Sequence, residues 1–156
     1  DNVRGMVPGR QIVLLDVENL VGVGRVTEGD IELLSVRLSN VLPIDRNDIV
    51  IIGGDCKNAF CLDDLARRYG GCVVWGVGRD GADIALSTAF AEIPPSAWDC
   101  PYSPVTRLVI GSGDHHFAPI ANSARSKGRQ VLTISRWFSL SNDLARTADT
   151  CLTLQI

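Results

Sequence analysis

The chain has 156 residues, five cysteines, a formal net charge of −3 and a pI near 5.3. Hydrophobic residues make up 46% of it, which excludes a disordered chain and is enough for the core of a single domain. No apolar run reaches the ~20 residues of a membrane-spanning helix, and the acidic balance excludes a globally basic nucleic-acid binder, so any nucleic-acid contact must be a local patch.

Residues 1–9 lack the apolar stretch of a signal peptide and are expected to form a flexible lead-in. Gln11-Ile-Val-Leu-Leu-Asp16 reads as a buried strand ending on an acid. Ile31, Leu34, Leu38 and Val41 recur at helical spacing, and a second strand is expected from Asp48 to Gly53. Leu62, Leu65, Ala66 and Tyr69 form the next helical stripe, closed by Gly70-Gly71. A strand from Cys72 to Val77 leads to a helix with its stripe on Ile84, Ala85 and Ala89. The proline-rich stretch Ile93 to Pro104 is expected to be a loop. A fourth strand, Arg107 to Ser112, runs into Gly113-Asp114, and Phe117, Ile120, Ala121 and Ala124 mark a helix closed by Gly128. Gln130 to Ile134 is the fifth strand, Ser141 is the expected N-cap of a short helix through Arg146, and Thr150 to Leu154 is the last strand.

Consecutive apolar positions in the central strands fit a sheet covered on both faces. Repeated βα units of this size predict a single α/β domain, a three-layer doubly wound sandwich whose central sheet is mostly parallel and has five to six strands. The cysteines (Cys56, Cys61, Cys72, Cys100, Cys151) are scattered without a CxxC pair. They read as reduced thiols in a cytoplasmic protein and not as a disulfide framework or zinc site.

In such a sheet the ligand site lies beyond the carboxyl ends of the strands, where strand order reverses. Asp16 and Asp114 both fall at strand ends, and Asp83 falls in the first turn of a helix on the same edge. A buried acid needs partners, and carboxylates gathered this way repel one another unless a cation neutralises them. The hard-oxygen set favours Mg²⁺ or Mn²⁺, which activates water and stabilises a phosphoryl transition state. Asn19 is placed to orient a ligand or water; Asp80, Ser112 and His116 are supporting candidates. Glu18 is expected to point away into solvent. Each acid also has a plain alternative, since Asp114 and Asp83 at helix starts suit caps. Gly111 and Gly113 suit a tight turn. Arg25, Lys57, Arg79 and Arg136 lie on the same edge, with Trp137 and Phe138 beside the last. Cations with aromatics around an acidic crevice fit single-stranded RNA, although the two rings equally suit a covered sheet edge or a homodimer contact. Arg67, Arg68, Arg125, Lys127 and Arg129 fall on the opposite edge and read as solvated surface.

Three segments carry a resemblance: Leu-Leu-Asp16-Val-Glu-Asn19-Leu, Gly81-Ala-Asp83-Ile-Ala-Leu86, and Gly-Ser112-Gly-Asp114-His-His-Phe117-Ala-Pro119-Ile. Together they resemble the signature segments of the NYN family, the LabA-like branch of the PIN-like nucleases. Weaker likeness continues through Gly128-Arg-Gln-Val and Ser141…Leu144…Ala148-Asp149. The resemblance implies a PIN-like fold and a metal-dependent ribonuclease, an endonuclease using Mg²⁺ or Mn²⁺. On it, Asp16, Asp83 and Asp114 hold the metal and Asn19 supports them. The chain departs from the family where it has His116 in place of a second acid, Ala89 in place of a further Asp, and Asp80 in place of a Lys. Two alternatives stay open. One is a degenerate domain that binds RNA or protein without cutting. The other is a small-molecule phosphohydrolase, although Asp16-Val-Glu18 lacks the Asp-x-Asp-x-Thr pattern of haloacid dehalogenases. The Asp-His-His string likewise lacks the N-terminal partner motif of the Asp-His-His phosphoesterases.

Overall fold

The computed structural model describes residues 9–155, so the expected flexible segment lies, except for Gly9, outside the described residues. Six strands form one sheet: β1 (Arg10–Asp16), β2 (Ile49–Asp55), β3 (Cys72–Gly76), β4 (Val105–Gly111), β5 (Gln130–Arg136) and β6 (Thr150–Leu154). Their order is β3-β2-β1-β4-β5-β6 and every neighbouring pair is parallel. The sheet is therefore wholly parallel, as Val/Ile/Leu runs buried on both faces require.

Alternate residues of the central strands feed two cores. Val13 and Leu15 of β1 pack with α1 (Val17–Val21), α2 (Glu28–Val41) and α3 (Ala59–Tyr69). Ile12 and Leu14 pack on the other face with α4 (Gly81–Ala91), α5 (Pro95–Trp98), α6 (Ala118–Ser126) and α7 (Asn142–Thr147). The result is a three-layer, Rossmann-like sandwich. Local chemistry sets the helix ends. Thr27 and Asp30 form a reciprocal capping box at the start of α2. Ser141 caps α7 by accepting from the Leu144 N–H, and Gly70, at φ 66°, closes α3.

Several expectations are corrected. The buried side of α4 carries Asp83, Leu86 and Phe90, whereas Ile84 is 65% exposed; with apolar residues around most of the helix, periodicity alone did not fix the buried face. The Ile93 to Pro104 stretch contains α5, begun at Pro95 in the favoured first-turn position, and buries Trp98 against Phe90. Helix α1, directly after β1, was not expected. Not all the basic residues on the far edge are free surface. Arg129 donates to the Val105 and Trp98 carbonyls and pairs with Asp99 at 2.6 Å, and Arg68 pairs with Glu32 and Asp64.

Candidate metal centre

Strand order reverses between β1 and β4, which leave the first strand running to β2 and β3 and the fourth to β5 and β6. Leu15 is in register with Gly111, so Asp16 and the Ser112-Gly113-Asp114 corner emerge side by side. Ser112, fully buried, joins them: its hydroxyl donates to Asp16 Oδ2 at 3.3 Å and accepts from the Asp114 N–H at 3.1 Å. Asn19 adds a second tie, its Oδ1 accepting from the Gly113 N–H at 3.1 Å. Gly113 is needed here for approach rather than for turning. A Cβ on it would sit 2.1 Å from the Ser139 carbonyl oxygen, and the Gly113 carbonyl accepts from the Ser141 N–H.

Helix α4 brings Asp83 to the same edge. Its start is set by close backbone packing, since a Cβ on Gly76 would lie 2.0 Å from the Gly81 carbonyl carbon. Asp83 is buried, 6% exposed, and close enough to Asp16 and Asp114 for their carboxylates to act on one another. His116 Nδ1 lies 2.7 Å from Asp114 Oδ1 and 3.3 Å from Asp83 Oδ2. Donor atoms of Asp80, Asp83 and His116 all lie within 4.8 Å of one another, as do those of Asp114, His115 and His116. The expected trio of Asp16, Asp83 and Asp114 does not converge as tightly. His116 is the member common to both groups, so the centre of the cluster is displaced towards it.

Asp16 has fewer hydrogen-bond partners than Asp48, a structural acid elsewhere in the sheet. At the opposite end of the sheet, Asp48 accepts from the Gln11 and Asp45 N–H groups and from Gln11 Nε2. Asp149 accepts from the Val131 N–H. Asp16 sits at the N-cap of α1, where its carboxylate accepts from the Ser112 hydroxyl, and it is 5% exposed. Burial, then the charges of Asp83 and Glu18, push its pKa from 3.8 to about 8, against smaller lowering by the Asn19 N–H and the Ser112 hydroxyl. Burial and then the Asp114 charge raise Asp83 to about 6, offset in part by His116. Burial also acts to raise Asp114, but hydrogen bonds from the His116 N–H and ring, and the charges of both histidines, hold it below its ordinary value. His116 is raised chiefly by its hydrogen bond to Asp114. A buried carboxylate facing further carboxylates lacks a positive charge, and the donor set of hard oxygens with one imidazole fits Mg²⁺ or Mn²⁺.

The cleft over this cluster has a volume of about 400 Å³ and is lined by Asp16, Glu18, Asn19, Asp55, Asp83 and Asp114 together with Lys57, Arg79 and Arg136. Arg25 does not line it. Glu18 is not solvated as expected: its Oε2 accepts from the Asp55 N–H at 2.9 Å and from Asn58 Nδ2 at 2.8 Å. Asn58, also buried, accepts from the Val26 N–H and donates to the Gly24 carbonyl, so it fixes the loop between α1 and α2 along the cleft. Glu18, Asp55 and Asn58 were missed as a unit. The signal was Gly53-Gly54-Asp55, a third apolar strand ending on an acid. Asn58→Ala is expected to cost about 2–4 kcal/mol in chemical denaturation, because it leaves Val26 N–H and one arm of Glu18 unsatisfied in a buried setting.

No protein-family profile and no curated protein matches the chain. Among solved structures it is similar to the crystal structure of a protein of unknown function from Vibrio parahaemolyticus RIMD 2210633, with 17% identity, a TM-score of 0.60, and coverage of 96% of this chain and 94% of that one. Among the described residues, no helix is long and apolar enough to cross a membrane. At that identity the likeness extends to the architecture, and the chain is an α/β protein of the three-layer, all-parallel Rossmann-like kind.

Proposed function

We propose that this chain is a metal-dependent ribonuclease, hydrolysing RNA phosphodiester bonds in the acidic cleft with Mg²⁺ or Mn²⁺. The observation that carries this reading is the buried Asp16 joined to Asp114 through Ser112 at the reversal of strand order, with Asp83 on the same edge. Asp83, with Asp16, Asp114 and Asp80, supplies oxygen donors. When bound, the cation supplies water activation and charge stabilisation at the phosphate. Lys57, Arg79 and Arg136 on the cleft wall draw in the anionic backbone and hold it over the acids. His116 Nδ1, within reach of both Asp83 and Asp114, offsets part of the charge that those carboxylates place on one another.

Cleavage of a fluorescent single-stranded RNA in Mn²⁺ tests the reading. Asp16→Asn, Asp83→Asn and Asp114→Asn are each expected to lower the rate about 10²–10³-fold, the usual scale for one lost electrostatic stabiliser, and chelation is expected to abolish it. Full metal-dependent activity in all three variants would falsify the assignment.

The 2.7 Å contact of His116 with Asp114 favours a second reading. An imidazolium there already neutralises part of the cluster, as suits a domain that binds RNA without cutting it. RNA binding by the wild type in chelator, with no cleavage in any divalent metal, would select this reading over the first.

A further inference from the structure

Beside the acidic cleft lies a second groove of about 330 Å³, lined by Arg37 of α2, Arg136 and Trp137 at the end of β5, and Leu154 and Gln155 at the end of β6. We propose that this groove is a nucleotide subsite: it takes the nucleotide next to the one over the acids, with its phosphate on Arg37 and Arg136 and its base on Trp137. The proposal rests on the RNA reading of the neighbouring cleft.

Arg136 connects the two sites, because it lines both cavities. Its Nε donates to the Asn19 carbonyl at 2.8 Å, and its guanidinium packs against Gly22, where a Cβ would lie 2.7 Å from Cζ. It is therefore fixed in place. Among the described residues, Arg67, Arg68, Arg125, Arg129 and Arg146 all pair with acids. Arg37 and Arg136, like Arg25 and Arg79, pair with no acid among those residues, so the groove carries two cations without an ion-pair partner among the described residues. A polyanion passing from the acidic cleft over Arg136 meets them in sequence.

Trp137 supplies the second half of the recognition. It is 70% exposed and stacks on Phe138 with centroids 4.3 Å apart and planes 18° apart. Phe138 is itself 87% exposed and adopts φ 67°, a conformation bulky L-residues rarely take. The turn that holds it is closed by the Ser139 N–H and hydroxyl, both donating to the Arg136 carbonyl. Backbone strain of this kind persists where the surrounding structure over-determines it, and here its result is a ring pair braced in the open. Phe138 supports one face of Trp137 while Trp137 borders the groove. A parallel pair of rings is a surface on which an unpaired base continues the stack, whatever its identity. Cations beside stacked rings match a single strand better than a duplex, whose bases are paired and inaccessible.

Fluorescence anisotropy of a labelled oligouridine in chelator, where cleavage is absent, tests the subsite. Trp137→Ala is expected to weaken binding about tenfold, the usual loss for one stacked base, and Trp137→Phe to restore most of it. Arg37→Gln is expected to lower the slope of log K against log salt by about 0.7, the value for one phosphate contact on a single strand. Oligouridine is expected to quench the wild-type tryptophan emission and to leave that of Trp137→Phe unchanged. Wild-type affinity and salt slope in Trp137→Ala and Arg37→Gln, with folding intact by circular dichroism, would overturn the subsite while leaving cleavage by Asp16, Asp83 and Asp114 standing. No oligouridine binding by the wild type would overturn it too. Loss of a wild-type dimer in Trp137→Ala, without loss of RNA affinity, would assign the rings to a second copy instead. Conversely, a groove effect on binding without metal-dependent cleavage would keep the subsite and remove the ribonuclease reading.

Discussion

Asp16→Asn is expected to raise the melting temperature of the metal-free protein while lowering metal-dependent cleavage about 10²–10³-fold. A carboxyl that ionises near 3.8 in water and near 8 in the fold must be held neutral, or ionised at a cost, at pH 7. The difference bounds the penalty at up to about 4 kcal/mol; because Asn replaces the same hydrogen-bonding volume without charge, a gain of about 2 kcal/mol is expected, or roughly 4–8 °C for a domain of this size. The pH dependence follows with a definite sign. The folded state holds the Asp16 proton more tightly than the unfolded chain does. Stability contributed by this group is therefore fully present below about pH 4 and is lost as pH rises towards 8. Asp16→Asn flattens that slope. Added Mn²⁺ is expected to stabilise the wild type at pH 8, by about 2.7 kcal/mol at a hundred times its Kd, and the variant much less. Differential scanning fluorimetry over pH 4–8, with and without Mn²⁺, checks all of these results. An Asp16→Asn protein less stable than wild type at pH 8 without metal would mean that Asp16 is a structural hydrogen-bonding group.

Gly76→Ala is expected to be the most damaging single-methyl change in the described chain. The added Cβ would meet three backbone atoms of Gly81 at 2.0, 2.1 and 2.4 Å, and backbone cannot swing aside as a side chain can. The end of β3 and the start of α4 must separate, at a cost of about 3 kcal/mol. Because α4 carries Asp83, metal affinity falls with stability. Gly70→Ala provides the contrast. That residue has φ 66° and nothing within 4 Å of its Cβ position, so it is expected to lose only about 1 kcal/mol of backbone preference. Equal losses in the two variants would mean that the Gly76–Gly81 contact relaxes freely.

The sheet was largely legible because its strands are apolar on consecutive positions, a pattern that period and composition expose directly. The buried face of α4 was not. Ile84 looks like core by composition, but it is Asp83 that turns inwards, towards the strand ends. Asp16 and Asp114 were legible as strand-end acids, and parallel pairing of β1 with β4 made them neighbours. What sequence could not give was the division of labour among the polar residues. Glu18 and Asn58 are separated by 40 positions and meet only through folding. The role of Gly113 depends on Ser139, a residue from another loop. Arg37, on the outer side of α2, carried no motif at all. Its place beside Trp137 is a matter of tertiary geometry.

The adjacency of β1 and β4 has a consequence in time. A chain made from its N-terminus can pair β1, β2 and β3 early, leaving the other edge of β1 open. Ser112, which bridges Asp16 to Asp114, follows Asp16 by 96 positions. The acids therefore remain apart until β4 closes against β1. The cluster is thus assembled only at that docking step, however much of the rest of the sheet has already formed.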